Sequence, residues 1–294
     1  MHSSFSTAWL AHNTKLAEFI LNNTDSLSLL EIGANKGCLF KILSKQRKLD
    51  YTVLDMYREA ELPSEVNFLQ GNCETFDFSG INTVILSHVF EHLLNPINFV
   101  NMVCKAKVNE VFISNPNFDH FLETNNITTI YSQHSFYCGF DHLLYIFSLN
   151  KYRCEAFYKY NGPVKSIMFK FLYDPIVLPK AVPYIHKDIF INLYVKRIND
   201  IKNLEVPPNS VICPSGTMGQ YLYYFITKKE NILGFIDNNT ERQNKILYGT
   251  GKTVFSPKDI DLSNVTVLLA DSFYNDEIIT GLKALCATVQ IIFV

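Results

Sequence analysis

Short apolar runs alternate with segments of helical spacing along residues 7–114, and this alternation constrains the fold more than any other feature of the chain. The apolar runs end at polar or turn residues, as strands do, and cover residues 28–32, 51–55, 66–69, 83–86 and 110–114. Helices are predicted between them at residues 7–22, 37–45 and 90–103. Repeated βα units of this length predict an α/β fold with a doubly wound parallel sheet.

A second, shorter α/β pattern occupies the end of the chain. "VICPSGTMGQYLYYFI" has the order strand, glycine turn, helix, and further strands are predicted in "NILGFI", "VTVLL" and "VQIIFV". Six of the 11 prolines fall in residues 161–208, which favours a connection there. We therefore predict a first domain at residues 1–160, a connecting segment at 161–208 and a smaller Rossmann-like domain at 209–294.

Charge and composition exclude several classes of protein. A formal net charge of -2 without a basic stripe argues against a nucleic-acid partner, which requires a basic surface. No apolar run reaches the roughly 18 residues that a membrane span needs. The N-terminus lacks the pattern of a secretory signal, and the seven cysteines form no C-x-x-C pair. We expect a cytoplasmic protein with reduced thiols; the sequence does not indicate an oligomeric state.

The loop after the first predicted strand, Glu31-Ile-Gly-Ala-Asn-Lys-Gly37, suggests a ligand. A pyrophosphate loop has the spacing G-x-G-x-x-G, whereas this one has G-x-x-x-G with an acid two residues ahead. That carboxylate would repel a pyrophosphate and attract an ammonium group. Asp55 ends the next strand about 20 residues on, where a carboxylate accepts hydrogen bonds from ribose hydroxyls. A ligand with an ammonium group, a ribose and no phosphate matches S-adenosylmethionine.

Four motifs in order, E-x-G-x-x-x-G, the Asp55 strand end, "LQGNCETF" and "VILSHVFEHLLNP", resemble the class I S-adenosylmethionine-dependent methyltransferases over residues 27–115. Asn35 stands where that family usually has a glycine. The resemblance implies that the first domain is a methyltransferase domain with S-adenosylmethionine as its cofactor. It further implies a set of cofactor-binding residues: Glu31, Gly33, Ala34, Gly37, Asp55, Met56, Asn72, Cys73, Ser87 and His88.

The stretch Ile130-Tyr-Ser-Gln-His-Ser-Phe-Tyr137 resembles the "IYHEHxxYF" segment of the sugar C-methyltransferases. This resemblance implies that His134 is the general base, with Tyr131 and Gln133 orienting the acceptor. Gln133 stands where that family has Glu. "S-x-S-x-x-W-x-x-H" near the N-terminus and the C-terminal domain are also similar to the family, whereas its N-terminal zinc-binding domain has no counterpart. The acceptor implied is a small molecule, a sugar or nucleotide sugar, methylated on carbon or oxygen.

Three other interpretations remain open at this point. "HVFEH" matches the H-x-x-E-H of some zinc peptidases, but we expect no metal and predict that Glu91 and His92 cap and pack a helix start. Gly216, Gly219 and Asp237 could suggest NAD, although a structural or substrate-binding domain fits better. Finally, the chain could be a non-catalytic module that has a methyltransferase-like fold and binds a sugar nucleotide or a protein.

Overall fold

The computed structural model describes residues 7–124, 133–181, 187–272 and 274–294, with the backbone alone for residues 187–190. The chain divides into two compact units. The first unit comprises Met1–Phe121 with Thr129–Tyr184, and the second comprises Leu122–Thr128 with Ile185–Val294. Among the described residues, every helix is too short or insufficiently apolar to cross a lipid bilayer.

Seven strands form the sheet of the first unit, in the order β3-β2-β1-β4-β5-β7-β6. They are β1 Ser28–Ile32, β2 Asp50–Asp55, β3 Asn67–Gln70, β4 Thr83–Ser87, β5 Glu110–Pro116, β6 Tyr152–Tyr160 and β7 Ser166–Tyr173. The pairs among β1 to β5 are parallel, and β7 is antiparallel to both of its neighbours. Strands β2 and β3 are added on one side of β1, and β4 and β5 on the other, so the order in which strands are added reverses between β1 and β4. The predicted doubly wound α/β architecture is therefore confirmed.

The described residues up to position 181 include five α-helices: α1 Thr7–Leu21, α2 Cys38–Leu43, α3 Pro96–Lys105, α4 Phe118–Glu123 and α5 Phe140–Leu149. The sequence predicted one helix over residues 90–103, but the structure has a 3-10 helix at Phe90–His92 before α3. Asn95 begins a new helix, because its side-chain oxygen accepts a hydrogen bond from the amide of Asn98 at 3.1 Å and caps the N-terminus of α3. Pro96 then occupies the first turn of α3, where its missing N–H costs nothing.

The hairpin of β6 and β7 was absent from the sequence-based prediction. β7 lies between β5 and β6, so the first sheet extends beyond residue 160 into the predicted connecting segment 161–208. Prolines on both sides of "SIMFKFLY" made this region look like a linker, yet the strand is largely buried. The same segment also contains the helix α6 Lys187–Lys202 of the second unit.

The second unit contains a separate six-stranded sheet, in the order β10-β11-β9-β8-β12-β13. Its strands are β8 Ser210–Cys213, β9 Ile232–Ile236, β10 Ile246–Leu247, β11 Lys252–Phe255, β12 Thr266–Leu269 and β13 Gln290–Phe293. The helices α7 Thr217–Phe225 and α8 Asn275–Leu285 accompany them, in addition to α6. All strand pairs except β10 with β11 are parallel, which confirms the predicted second Rossmann-like sheet.

Gly219 should be intolerant of a side chain, because a Cβ there would overlap the carbonyl oxygen of Pro214. We expect Gly219→Ala to lower the free energy of unfolding of the second unit by about 1–3 kcal/mol. Gly281 is a matched control in α8, since a Cβ there meets nothing within 4 Å. Gly281→Ala should be neutral or stabilising by about 0.5–1 kcal/mol. Urea unfolding followed by circular dichroism measures both, and equal stability of the two variants would contradict the close approach.

Candidate cofactor and acceptor site

The carboxyl ends of three strands meet where the strand order of the first sheet reverses. Ile32, the last residue of β1, pairs with Leu54 on one side and with Leu86 on the other. The loops that follow β1, β2 and β4 therefore leave the sheet side by side. In open parallel sheets this is the position at which ligands bind.

The loop after β1 makes a tight left-handed turn. Gly33, Asn35 and Gly37 have φ values of 69°, 51° and 68°. A Cβ on Gly33 would lie 2.6 Å from Cγ2 of Val89, so glycine is required there for space as well as for conformation. Asn is among the few residues that tolerate left-handed backbone, which explains how Asn35 adopts this conformation without being a glycine. The amide of Gly37 donates to the carbonyl of Ala34 at 2.9 Å and closes the turn.

Glu31 is buried directly ahead of this turn. Its side chain is 3% exposed, and the hydroxyl of Tyr51 donates to its carboxylate at 2.7 Å. Burial raises the pKa of Glu31 to about 7, against the opposing effect of the Tyr51 hydrogen bond. The ionised form is therefore costly in the unliganded protein. A cation beside Glu31 would stabilise that form.

The predicted ribose and adenine residues follow β2 and β3. Asp55 is half-buried, and its Oδ1 accepts a 2.7 Å hydrogen bond from the amide of Met56, which is exposed. The amide of Gly71 donates to the carbonyl of Asp55 at 2.9 Å and holds the next loop alongside. In that loop, Oδ1 of Asn72 accepts from the amide of Glu74 at 2.9 Å. Cys73 is buried, which raises its pKa to about 11 and keeps it a neutral thiol.

Ser87 ends β4, and His88 follows it beside an aromatic cluster. His88 has φ 53°, and its amide donates to the carbonyl of Ser114 at 2.8 Å. Its Nε2 lies 2.9 Å from the hydroxyl of Ser166. The ring contacts Trp9 and His12 edge-on, with centroids 4.9 and 5.0 Å apart. Trp9 and His12 of the predicted N-terminal motif thus pack at the candidate site, whereas its Ser4 and Ser6 lie outside the described residues.

The segment at 133–135 lies against the 3-10 helix that follows β4. The carbonyl of Gln133 is 2.9 Å from Nδ1 of His92, and the amide of Ser135 donates to the carbonyl of Glu91 at 3.0 Å. The rings of His92 and His134 meet edge to face at 4.9 Å. Gln133 therefore contributes its backbone to this arrangement, while its side chain is exposed. Tyr131, predicted to orient the acceptor, lies outside the described residues.

Glu91 is a functional candidate whose surroundings the sequence did not reveal. It is 3% exposed, and neither carboxylate oxygen accepts a hydrogen bond from the described part of the chain. Oε1 lies 3.2 Å from Nδ1 of His88, which is within ion-pair distance but not aligned for a hydrogen bond. Burial raises the pKa of Glu91 to about 7, partly offset by the backbone amide of Glu91 itself and then by His92 and His134.

His134 is half-buried beside this acid. Burial lowers the pKa of His134, and the opposing effect of the Glu91 charge is smaller, so the resulting pKa is about 4. The imidazole is therefore neutral near pH 7 and has a lone pair that can accept a proton. The motif "HVFEH" was the one clue to this cluster in the sequence. Nothing in the sequence indicated that Gln133 and Ser135, which lie 41 and 44 positions beyond their partners His92 and Glu91, form hydrogen bonds with that motif.

The glycine loop of the second unit, residues 214–219, is hydrogen-bonded to Asp237, which directly follows β9. The carboxylate of Asp237 accepts from the amide and hydroxyl of Ser215 at 3.0 and 2.6 Å, and from Arg242 at 3.3 Å. It also accepts from the amide of Asn239 at 2.9 Å. A ribose would have to compete with all of these donors for Asp237. The bonding favours a structural loop over an NAD site.

No protein-family model matches this chain, and no curated protein matches its sequence. Solved structures similar to it include the PH0226 protein from Pyrococcus horikoshii OT3, which is 14% identical with a TM-score of 0.47, over 60% of this chain and 93% of that one. Magnesium protoporphyrin IX methyltransferase from Synechocystis PCC 6803 with bound SAH is 10% identical with a TM-score of 0.46, over 59% and 90%. The plantazolicin methyltransferase BpumL with SAH is 15% identical with a TM-score of 0.44, over 57% and 84%.

Proposed function

We propose that the first unit binds S-adenosylmethionine and transfers its methyl group to a small-molecule acceptor, a sugar or nucleotide sugar. The observation that carries this proposal is the left-handed turn from Gly33 to Gly37, set between the buried Glu31 and the strand end at Asp55. The fold brings these groups to the sheet edge where ligands of doubly wound proteins bind.

Each part of the cofactor has a matching group in this proposal. The turn after β1 allows close approach of the backbone to the methionine moiety, and Glu31 balances the ammonium charge. Asp55 accepts hydrogen bonds from the ribose, with Met56 beside it. Residues 72 and 73 contact the adenine, and residues 87 and 88 line the methyl-bearing end. A pyrophosphate is disfavoured, because the carboxylate of Glu31 would lie beside it.

The acceptor is activated by His134 in this proposal. The backbone contacts of residues 133–135 hold this histidine against Phe90–His92, a few residues beyond the end of β4. The acceptor oxygen or carbon forms a bond to the methyl carbon as the carbon–sulfur bond of the cofactor breaks. The acceptor proton passes to the neutral ring of His134, and S-adenosylhomocysteine leaves. The assignment of a sugar rests on the resemblance of residues 130–137 to the sugar C-methyltransferases.

Asp55→Ala should weaken binding of S-adenosylhomocysteine about 10- to 100-fold, because a charged hydrogen-bond acceptor contributes roughly 1.5–3 kcal/mol. Asp50→Ala is the matched control, because Asp50 begins the same strand at the opposite edge of the sheet. This variant should bind S-adenosylhomocysteine as tightly as the wild type does. Isothermal titration calorimetry measures both.

Failure of the wild type to bind S-adenosylmethionine or S-adenosylhomocysteine at about 1 mM would overturn the proposal. Release of S-adenosylhomocysteine during incubation with a panel of sugar nucleotides tests the acceptor class. Tight cofactor binding without product from any acceptor would instead support the non-catalytic binding module.

A further inference from the structure

We propose that Glu91, His92 and His134 bind a divalent transition-metal ion. One potential ligand atom from each of these side chains lies within 4.8 Å of the other two. Bonds of about 2.0–2.1 Å would place the ligand atoms of a tetrahedral site about 3.3 Å apart. His92 is exposed, so its ring can make the small movement that closes the site.

The first reason is the state of Glu91. A carboxylate that is 3% exposed normally accepts several hydrogen bonds, because burying an ionised group without partners is costly. Neither oxygen of Glu91 accepts a hydrogen bond of normal geometry from the described residues, although both are inaccessible to solvent. A bound cation would supply the missing partner and the compensating charge.

The second reason is the orientation of His92. Its Nδ1 lies 2.9 Å from the backbone carbonyl of Gln133, and a carbonyl only accepts, so Nδ1 carries the proton. The lone pair is therefore on Nε2. Histidines that bind metals are usually held in this way, with the other ring nitrogen donating to a carbonyl or carboxylate.

The ligand set indicates the class of metal. Two imidazoles and one carboxylate suit zinc, iron(II), cobalt(II) and similar ions, whereas magnesium and calcium prefer oxygen ligands throughout. Three protein ligands also leave coordination positions open for water or for an oxygen of a small molecule.

This cluster differs from the zinc-peptidase pattern that "HVFEH" suggested. That pattern uses both histidines as ligands from one helix. Here His88 precedes the 3-10 helix with left-handed backbone, and its Nε2 lies 2.9 Å from the hydroxyl of Ser166. His134, from a distant part of the chain, takes the third position. The proposal departs from the expectation that the chain binds no metal.

The proposed metal site does not rest on the proposed methyl transfer, because it concerns binding to these side chains alone. It does affect the role of His134. A ring nitrogen that is bound to an ion has no lone pair to accept a proton, so the general-base role of His134 belongs to the metal-free protein.

Titration of the chelator-treated, dialysed full chain with cobalt(II) tests the site. We expect one equivalent to bind with a visible absorption band from nitrogen and oxygen ligation, and zinc to displace it. Glu91→Gln and His92→Gln should each weaken cobalt binding at least about 100-fold, since loss of a ligand exceeds the 10- to 100-fold cost of losing an outer partner. Both variants preserve approximate side-chain size, and circular dichroism confirms that they fold.

Two variants serve as matched controls, Glu65→Gln at an exposed acid and His142→Gln on α5 outside the cluster. Both should bind cobalt as the wild type does. Absence of stoichiometric binding to the wild type, or equal binding by Glu91→Gln, would overturn the metal site. Binding of S-adenosylhomocysteine to the same samples is measured separately, so a failure of the cofactor proposal is distinguished from a failure of this one.

Discussion

Replacing His134 with alanine should lower the rate of methyl transfer about 10²- to 10⁴-fold in the presence of a chelator, which is the usual contribution of a general base. The affinity for S-adenosylhomocysteine should stay within about twofold, because His134 is not among the proposed cofactor contacts, which come from the ends of β1, β2, β3 and β4 and the loops after them. The expectation follows from a neutral ring, with its pKa lowered by burial to about 4, beside the buried Glu91.

The measurement is kcat from formation of S-adenosylhomocysteine, with cofactor binding determined in parallel by calorimetry. His142→Ala on α5 is the control for loss of a histidine elsewhere in the first unit and should keep the wild-type kcat. If His134→Ala also retains the wild-type kcat, His134 is not the base. If it loses cofactor binding as well, the effect is structural.

The Glu31→Gln variant should be more stable than the wild type by about 3 kcal/mol at pH 8 and equally stable near pH 4 when no cofactor is present. Burial raises the pKa of Glu31 in the folded chain from 4.5 to about 7. A raised pKa means that stability is fully present below the unfolded value and is lost as the pH rises through the folded value. Glutamine has no charge to bury, so the variant escapes this loss and can still accept the hydrogen bond from Tyr51.

Urea unfolding at several pH values between 4 and 8 measures the difference. The exposed Glu65→Gln serves as the control and should follow the wild-type curve. A constant difference between Glu31→Gln and the wild type across this range would contradict the raised pKa. We also expect Glu31→Gln to bind S-adenosylmethionine more weakly, because the ammonium group loses its counter-charge.

The parallel core of the first sheet could be predicted because each of its strands is a short apolar run, such as residues 83–86, between clear turn signals. The hairpin of β6 and β7 could not, because β6 mixes exposed and buried side chains without strict alternation. β7 is apolar, but its pairing with β5 joins residues far apart in sequence. That pairing depends on tertiary packing rather than on local pattern.

The candidate site likewise has one part that could be predicted from the sequence and one part that could not. Gly33, Gly37 and Asp55 were predicted as cofactor-binding residues from their spacing, because they belong to two adjacent βα turns. Glu91 was interpreted as a capping and packing residue, since nothing near it in sequence is a chemical partner. Its nearness to His134 depends on hydrogen bonds from the amide of Ser135 to the carbonyl of Glu91 and from the hydroxyl of Ser135 to the carbonyl of Leu93. Such long-range contacts leave no periodic signal in a single sequence.

The position of β7 has a consequence for synthesis of the chain on the ribosome. β5 is a buried strand, and one of its two neighbours is β7, which is made about 50 residues later. Until β7 has emerged, the apolar edge of β5 is an unpaired template for other strands. Nascent chains that stop before residue 166 should therefore aggregate or recruit chaperones, whereas release beyond residue 184 allows the first unit to close.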